Sequence, residues 1–224
     1  MTKWILSFAI CFCCLVTEAR AASDYAGERV VFAISPMGMA EYNDLGMVEL
    51  EGRQVNLVTF RTRTVGFDDT EKIYSDPATF LPLRVERDIL LPIGKEYLVE
   101  EYDPEKFTLE ITKFKDGKET KVLSFAGDGP VHNAILLPFS LRRIPDLYPG
   151  WKMDILLPDK FEVTMAAIEK ISVPAGTFSA YHFVSSPPKF EIWISADSMK
   201  LPLKIKDTGG LGYTLLIKEH DQKK

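Results

Sequence analysis

Cysteine is absent beyond position 14: Cys11, Cys13 and Cys14 all lie in the first apolar segment. A chain released from that segment carries no thiol. This excludes disulfides, cysteine nucleophiles and thiolate metal sites together, and it suits an oxidising compartment. Histidine is scarce too. His132, His182 and His220 form no His-x-x-x-His or His-Glu-x-x-His pattern, so a zinc site has no predicted ligand set. No Gly-x-Ser-x-Gly elbow supports Ser140 or Ser195 as a nucleophile. Gly209-Gly210-Leu211-Gly212 precedes strand-like sequence rather than a helix, and so reads as a hairpin turn rather than a phosphate loop. No cofactor is expected. Basic blocks are missing and charges of both signs are interspersed, which removes the electrostatic footprint for nucleic acid or an anionic membrane. After residue 16 no apolar run approaches the ~20 residues of a membrane span.

What is present begins with a leader. Lys3 supplies a positive charge, Trp4 to Val16 is uncharged and nearly all apolar, and Ala19-Arg20-Ala21 is a small-x-small cleavage site. An apolar helix of that length rises about 20 Å, short of the ~30 Å hydrocarbon core. Residues 1–21 therefore read as a cleavable signal peptide, with Ala19 and Ala21 at the cleavage site and Ala22 as the new N-terminus. Ile10, Phe12 and Cys13 precede the three cysteines, where a lipoprotein signal needs a small residue, so a free exported protein is expected. Cleavage removes Lys3, Arg20 and Glu18, which takes the net charge from −5 to about −6.

Residues 22–224 read as one mainly β domain: an antiparallel roll, half-barrel or sandwich with one short helical segment in the middle of the chain. Period-2 alternation dominates. Val30, Phe32 and Ile34 alternate with Arg29, Val31 and Ala33. Leu83, Val85 and Ile89 share one face, with Arg84, Glu86 and Asp88 on the other. Phe107, Leu109 and Ile111 are followed by an Asp116-Gly117 turn. Val131 to Arg143 is the helix candidate, with Val131, Ala134, Ile135 and Phe139 at helical spacing, Arg142 and Arg143 at its end, and Pro138 marking a kink or a division into two short pieces. Strands then resume and continue to the end.

Three stretches carry a family resemblance. Gly27-Glu28-Arg29-Val30-Val31-Phe32 with Met37-Gly38-Met39-Ala40 forms an opening strand and turn. Leu141-Arg142-Arg143-Ile144-Pro145 with Pro149-Gly150 forms a helix end and turn. Val173-Pro174-Ala175-Gly176-Thr177-Phe178-Ser179-Ala180 forms a hairpin, with Trp193 and Asp197 following. From Gly27 to about Lys218 the chain resembles an exported bacterial family catalogued as domain of unknown function 3108. Gly129-Pro130-Val131-His132 departs from that family's helix start. The resemblance implies a sheet-plus-helix layout similar to half-barrels that carry lipids or lipoproteins across the periplasm, and it supplies no activity.

Two sets of residues are singled out for binding. If Pro187-Pro188 is an even-length turn, Phe183 faces Ile192, Tyr181 faces Ile194, and one hairpin face is uniformly apolar. The other face sets His182 opposite Trp193 beside Glu191. It is either the lining of a ligand cleft or an outer face held by an aromatic cross-strand pair. Around the helix, Phe139 is a candidate cleft wall. Arg142 and Arg143 are candidates for an anionic head group at the rim, or simply for helix-end capping. Carboxylate chemistry finds less support. Asp68-Asp69 and Glu100-Glu101 are adjacent, so each pair splits across the two faces of a strand.

The leading expectation is a non-enzymatic periplasmic binding or carrier protein for an apolar or lipid-like ligand. Its partners would be a lipid, a lipoprotein or another envelope component. The alternatives are an envelope interaction or structural module, and a hydrolase with an unrecognised carboxylate site.

Overall fold

The alternation seen in the sequence becomes a meander of hairpins. The computed structural model describes residues 25–115, 117–210 and 212–222. The predicted signal peptide, with its expected cleavage site at Ala19 and Ala21 and the three cysteines, lies outside the described residues. The strands are β1 (Glu28–Ser35), β2 (Met39–Leu50), β3 (Arg53–Thr64), β4 (Phe67–Ser75), β5 (Pro82–Leu91), β6 (Gly94–Asp103), β7 (Thr108–Lys115) and β8 (Lys118–Ala126). After the short helix α1 (Leu136–Leu141) come β9 (Lys152–Leu157), β10 (Asp159–Val173), β11 (Gly176–Ser186), β12 (Phe190–Ser195), β13 (Pro202–Asp207) and β14 (Thr214–Gln222).

All fourteen strands form one antiparallel sheet, ordered β8-β7-β6-β5-β4-β3-β2-β1-β14-β13-β12-β11-β10-β9. Each strand pairs with its chain neighbour, as short hairpin connections require. The exception is β1 with β14, which joins the two meanders through Phe32 opposite Ile217 and Ile34 opposite Leu215. The β1–β2 turn needs its glycine: a Cβ on Gly38 would sit 2.6 Å from the Arg63 carbonyl oxygen.

The sheet is open but curled, and the segment between β8 and β9 spans its edges. At one end of that segment the Gly127 N–H donates to the Phe107 carbonyl beside β7; at the other the His132 N–H donates to the Leu156 carbonyl on β9. Val131 also bridges Leu156 in parallel fashion. Four residue steps separate Gly127 from Val131, so the edges lie within about 14 Å there. Leu156 Cδ1 comes so close that a Cβ on Gly127 would be 2.5 Å from it. Right-handed strand twist accumulated over fourteen strands produces this coiling.

The helix is shorter than the predicted 131–143. Val131 and His132 give their backbone to β9 instead. Asn133 then starts the turn, its Oδ1 accepting from the Ile135 and Leu136 N–H groups at 2.9 and 3.1 Å. Pro138 has no N–H for the next rung. The chain leaves through tighter bonds from Arg143 N–H to the Ser140 carbonyl and from Ile144 N–H to the Leu141 carbonyl.

α1 lies inside the curl, buried on nearly every side. Leu136 and Phe139 pack with Val30, Phe32, Tyr42, Val58, Ile73 and Val85. Leu137 and Leu141 pack with Ile155, Val163, Met165, Phe183, Ile192 and Ile194. The Phe139 and Tyr42 rings stack at 3.6 Å.

Candidate ligand cavity

Between the inner face of the curled sheet and the 131–139 segment lies a cavity of about 580 Å³. Period-2 geometry chooses its walls, because inner-face residues recur at i and i+2. Phe60, Thr62 and Thr64 come from β3, Phe67, Asp69 and Glu71 from β4, Glu100 and Tyr102 from β6, and Leu109 and Ile111 from β7. Phe32, Ile34, Ile205 and Leu215 complete the sheet wall, while Ile135 and Phe139 close it from the helix side. Thr64, Ala134, Pro158 and Tyr213 stand on its more exposed side.

Most of this wall is apolar, and one part is not. On β4 to β6, Asp69, Glu71 and Glu100 surround the guanidinium of Arg87. Arg87 Nη2 donates to Asp69 Oδ2 at 2.5 Å; Nε lies 3.6 Å from Glu71 and Nη1 3.8 Å from Glu100. The Tyr102 hydroxyl donates to Glu100 Oε2 at 2.5 Å. Three acids thus share one cation, and Asp69 Oδ1 and Arg87 Nε are each buried without a hydrogen-bond partner.

The electrostatics follow from burial and crowding. Burial pushes the Glu71 carboxyl up to about 8, with Asp69 and Glu100 adding to the effect and Arg87 opposing it. Burial and then the Glu100 charge push the Tyr102 hydroxyl up as well. Burial disfavours the Arg87 cation, but the charges of Glu71, Asp69 and Glu100 outweigh it and raise its pKa. Burial lowers the His132 imidazole, which keeps it neutral.

The structure brings His182, Glu191 and Trp193 together, but on the outer face rather than at the cavity. The predicted register holds, with His182 opposite Trp193 and Phe183 opposite Ile192. The His182 ring stacks on the indole at 4.3 Å, and its Nε2 lies 2.9 Å from Glu191 Oε2. Trp193 Nε1 donates to Glu169, and Lys204 Nζ sits 4.1 Å from the ring. Against burial, Lys206 and His182 hold the Glu191 carboxyl below its usual range. Trp193 is only 4% exposed. The far half of the β10–β11 hairpin supplies the cover, with Ile171, Val173 and Phe178 packing against the group that contains Trp193, Ala180, Leu201 and Leu203. The tip is fixed by the Ala175 N–H donating to the Ile217 carbonyl.

Of the helix-side candidates, Phe139 lines the cavity. Arg142 does not: its side chain is fully buried on Glu28, both Nη atoms bonded to that carboxylate at 2.9 and 2.5 Å. Arg143 lies 4.0 Å over the Phe80 ring, and burial together with Arg142 lowers its pKa. The arginine that faces the cavity is Arg87. Sequence reasoning missed it, together with Asp69, Glu71, Glu100 and Tyr102. The available signal was one-face spacing, of two acids in Phe67-x-Asp69-x-Glu71 and of an acid and a phenol in Glu100-x-Tyr102.

Among the described residues no group of three or more His, Cys, Asp or Glu is placed to hold a metal ion. No helix among them is long and apolar enough to cross a membrane. No family model matches the chain, and no curated protein is significantly similar to it. Among solved structures, the chain is similar to a candidate exported protein with a YmcC-like fold from Bacteroides fragilis. Identity is 9%, with 88% of this chain and 96% of that chain covered, at a TM-score of 0.31.

Proposed function

We propose that this is an exported, non-enzymatic protein that binds an apolar or lipid-like ligand inside its curled sheet. The observation that carries the reading is the cavity of about 580 Å³, walled by apolar side chains from both meanders and closed on one side by Ile135 and Phe139. A cavity of that size, mostly apolar with a few convergent polar groups, is the usual form of a small-molecule site. The leader and the resemblance to an exported family support a periplasmic location. Lipids, lipoproteins and other envelope components are the ligand sources that such a location offers.

Ala134 tests this reading, because it lines the cavity yet is exposed, so bulk there spares the core. Wild-type protein is expected to take up the neutral fluorophore N-phenyl-1-naphthylamine. Ala134→Trp is expected to reduce that uptake at least fivefold while leaving the far-ultraviolet circular dichroism unchanged. Equal uptake by both proteins would move the binding site elsewhere, and no uptake by wild type would end the proposal.

A second reading, a hydrolase, is favoured by one observation: a carboxyl raised to about 8 beside two further acids in a cavity. Against it, all three carboxylates are tied to the Arg87 guanidinium, and most of the surrounding wall is apolar. Glu71→Gln separates the two readings, since a binding protein keeps probe uptake and has no turnover to lose.

A further inference from the structure

The polar part of the cavity has a sign. Asp69, Glu71 and Glu100 contribute three carboxyls against the single guanidinium of Arg87. With Glu71 protonated the balance is still one negative charge. Hydrogen-bond capacity points the same way. Arg87 Nη2 bonds Asp69 and the Tyr102 proton goes to Glu100; Arg87 Nε is buried without a hydrogen bond but has Glu71 3.6 Å away. An incoming carboxylate or phosphate therefore meets net negative charge, and the one cation there already has an acid beside each of Nη2, Nε and Nη1. An incoming ammonium meets Asp69 Oδ1, an acceptor that is buried and unpartnered on a residue only 3% exposed. Leaving such a group unsatisfied costs free energy that a donor recovers.

We propose that the cavity selects a cationic amphiphile: an alkyl chain lies along Phe32, Ile34, Phe60, Leu109 and Ile111 while its ammonium group rests on Asp69, flanked by Glu71 and Glu100. This rests on the ligand-binding reading above and adds the charge of the head group. It replaces an anionic head group at Arg142 and Arg143 with a cationic one at the β4–β6 wall.

The test is displacement of N-phenyl-1-naphthylamine from the purified protein at pH 7 by dodecylamine, dodecanoate and dodecanol, which share a chain length and differ in head group. An alkyl ammonium, like a lysine side chain, keeps its charge at that pH. Dodecylamine is expected to displace the probe at a concentration at least tenfold lower than dodecanoate, with dodecanol between them. Asp69→Asn is expected to cut that advantage to threefold or less, read as the ratio of dodecanoate to dodecylamine concentrations that displace the probe from the same variant. Thr62 lies directly opposite Asp69 in the β3–β4 pairing. Thr62→Lys places an ammonium on the same carboxylate from within the chain, and is expected to abolish the preference. If Asp69→Asn does not fold, Thr62→Lys decides alone. Equal displacement by all three competitors, a preference for dodecanoate, or an amine preference that survives the folded variants would overturn cation selectivity while leaving the cavity as a binding site. Failure of the fluorophore and of every competitor to bind would remove both.

Discussion

Glu28 shows how a single residue anchors the interior. It is 2% exposed and accepts from both Nη atoms of Arg142 and from His220 Nε2 at 3.0 Å. Burial disfavours the Arg142 cation, but the Glu28 hydrogen bonds and charge prevail and raise its pKa. Removing one partner of such a pair leaves an uncompensated buried charge. Glu28→Gln is therefore expected to lower unfolding free energy by ~3–5 kcal/mol in urea titrations, whereas Glu28→Leu combined with Arg142→Met is expected to recover most of the loss. A single variant within ~1 kcal/mol of wild type would show that the pair is not the anchor. Glu71 makes the opposite kind of contribution. Its folded pKa of about 8 lies above an ordinary carboxyl, so between those values the native state holds a proton that the unfolded chain releases. Stability from this residue is therefore complete at low pH and falls as pH rises through that window. The groups facing Glu71 are Asp69, Arg87, Glu100, Tyr102 and Tyr213. The loss of stability between pH 5 and pH 9 is expected to be smaller in Glu71→Gln by ~1–3 kcal/mol. Parallel pH profiles for the two proteins would assign the dependence to another group.

The β10–β11 hairpin does more than add two strands. Its ladder slips between Met165 and Ala167, so the near half faces α1 while the far half turns over the outer surface. There it shelters Trp193, whose indole N–H bonds Glu169 from the same hairpin. Trp193→Ala is therefore expected to cost ~3–5 kcal/mol of stability, and the molecules that remain folded are expected to take up probe with unchanged affinity. Reduced affinity at full stability would instead return this residue to a binding role. The hairpin also shows what was legible beforehand. An even-length turn at Pro187-Pro188 together with alternation gives the observed pairing of Phe183 with Ile192 and of Tyr181 with Ile194, because a one-residue slip would turn an apolar face outward. The same logic failed at the cavity. Alternation separates Asp69 and Glu100 from their chain neighbours Asp68 and Glu101, yet the two converge on Arg87. That convergence depends on the β4–β5 and β5–β6 registers, with Glu71 opposite Arg87 and Val85 opposite Glu100. No single strand carries that information. α1 falls short of the predicted 131–143 for a similar reason: Val131 suits a helical face, but its backbone is claimed by Leu156, a partner that exists only once the sheet curls.

At the scale of the whole molecule, the cavity exists only when both meanders are joined. Phe60, Asp69, Arg87, Glu100 and Leu109 belong to the first, Leu157, Ile205 and Leu215 to the second, and the 131–139 segment spans them. The joint is the β1–β14 ladder, the most distant strand pairing in the chain, together with the contact of Gly127 on Leu156. A chain that opens at either place loses its site, so ligand bound to the closed form must stabilise the entire fold by mass action. For a ligand at 100 times its dissociation constant the gain is about 2.7 kcal/mol. In a chain of this size that corresponds to roughly 5–10 °C in melting temperature. Dodecylamine at that excess is expected to produce such a shift in wild type. At the same dodecylamine concentration the shift is expected to shrink in Ala134→Trp, where bulk fills part of the cavity, and in Asp69→Asn, where the acceptor is lost. Amide exchange should slow in β1 and β14 as well as in the strands that touch the ligand, because the ladder joining the meanders opens only with the site. Protection confined to β4 through β6, with β1 and β14 exchanging as before, would mean that the ligand sits on one meander alone and that closure of the sheet is not part of binding.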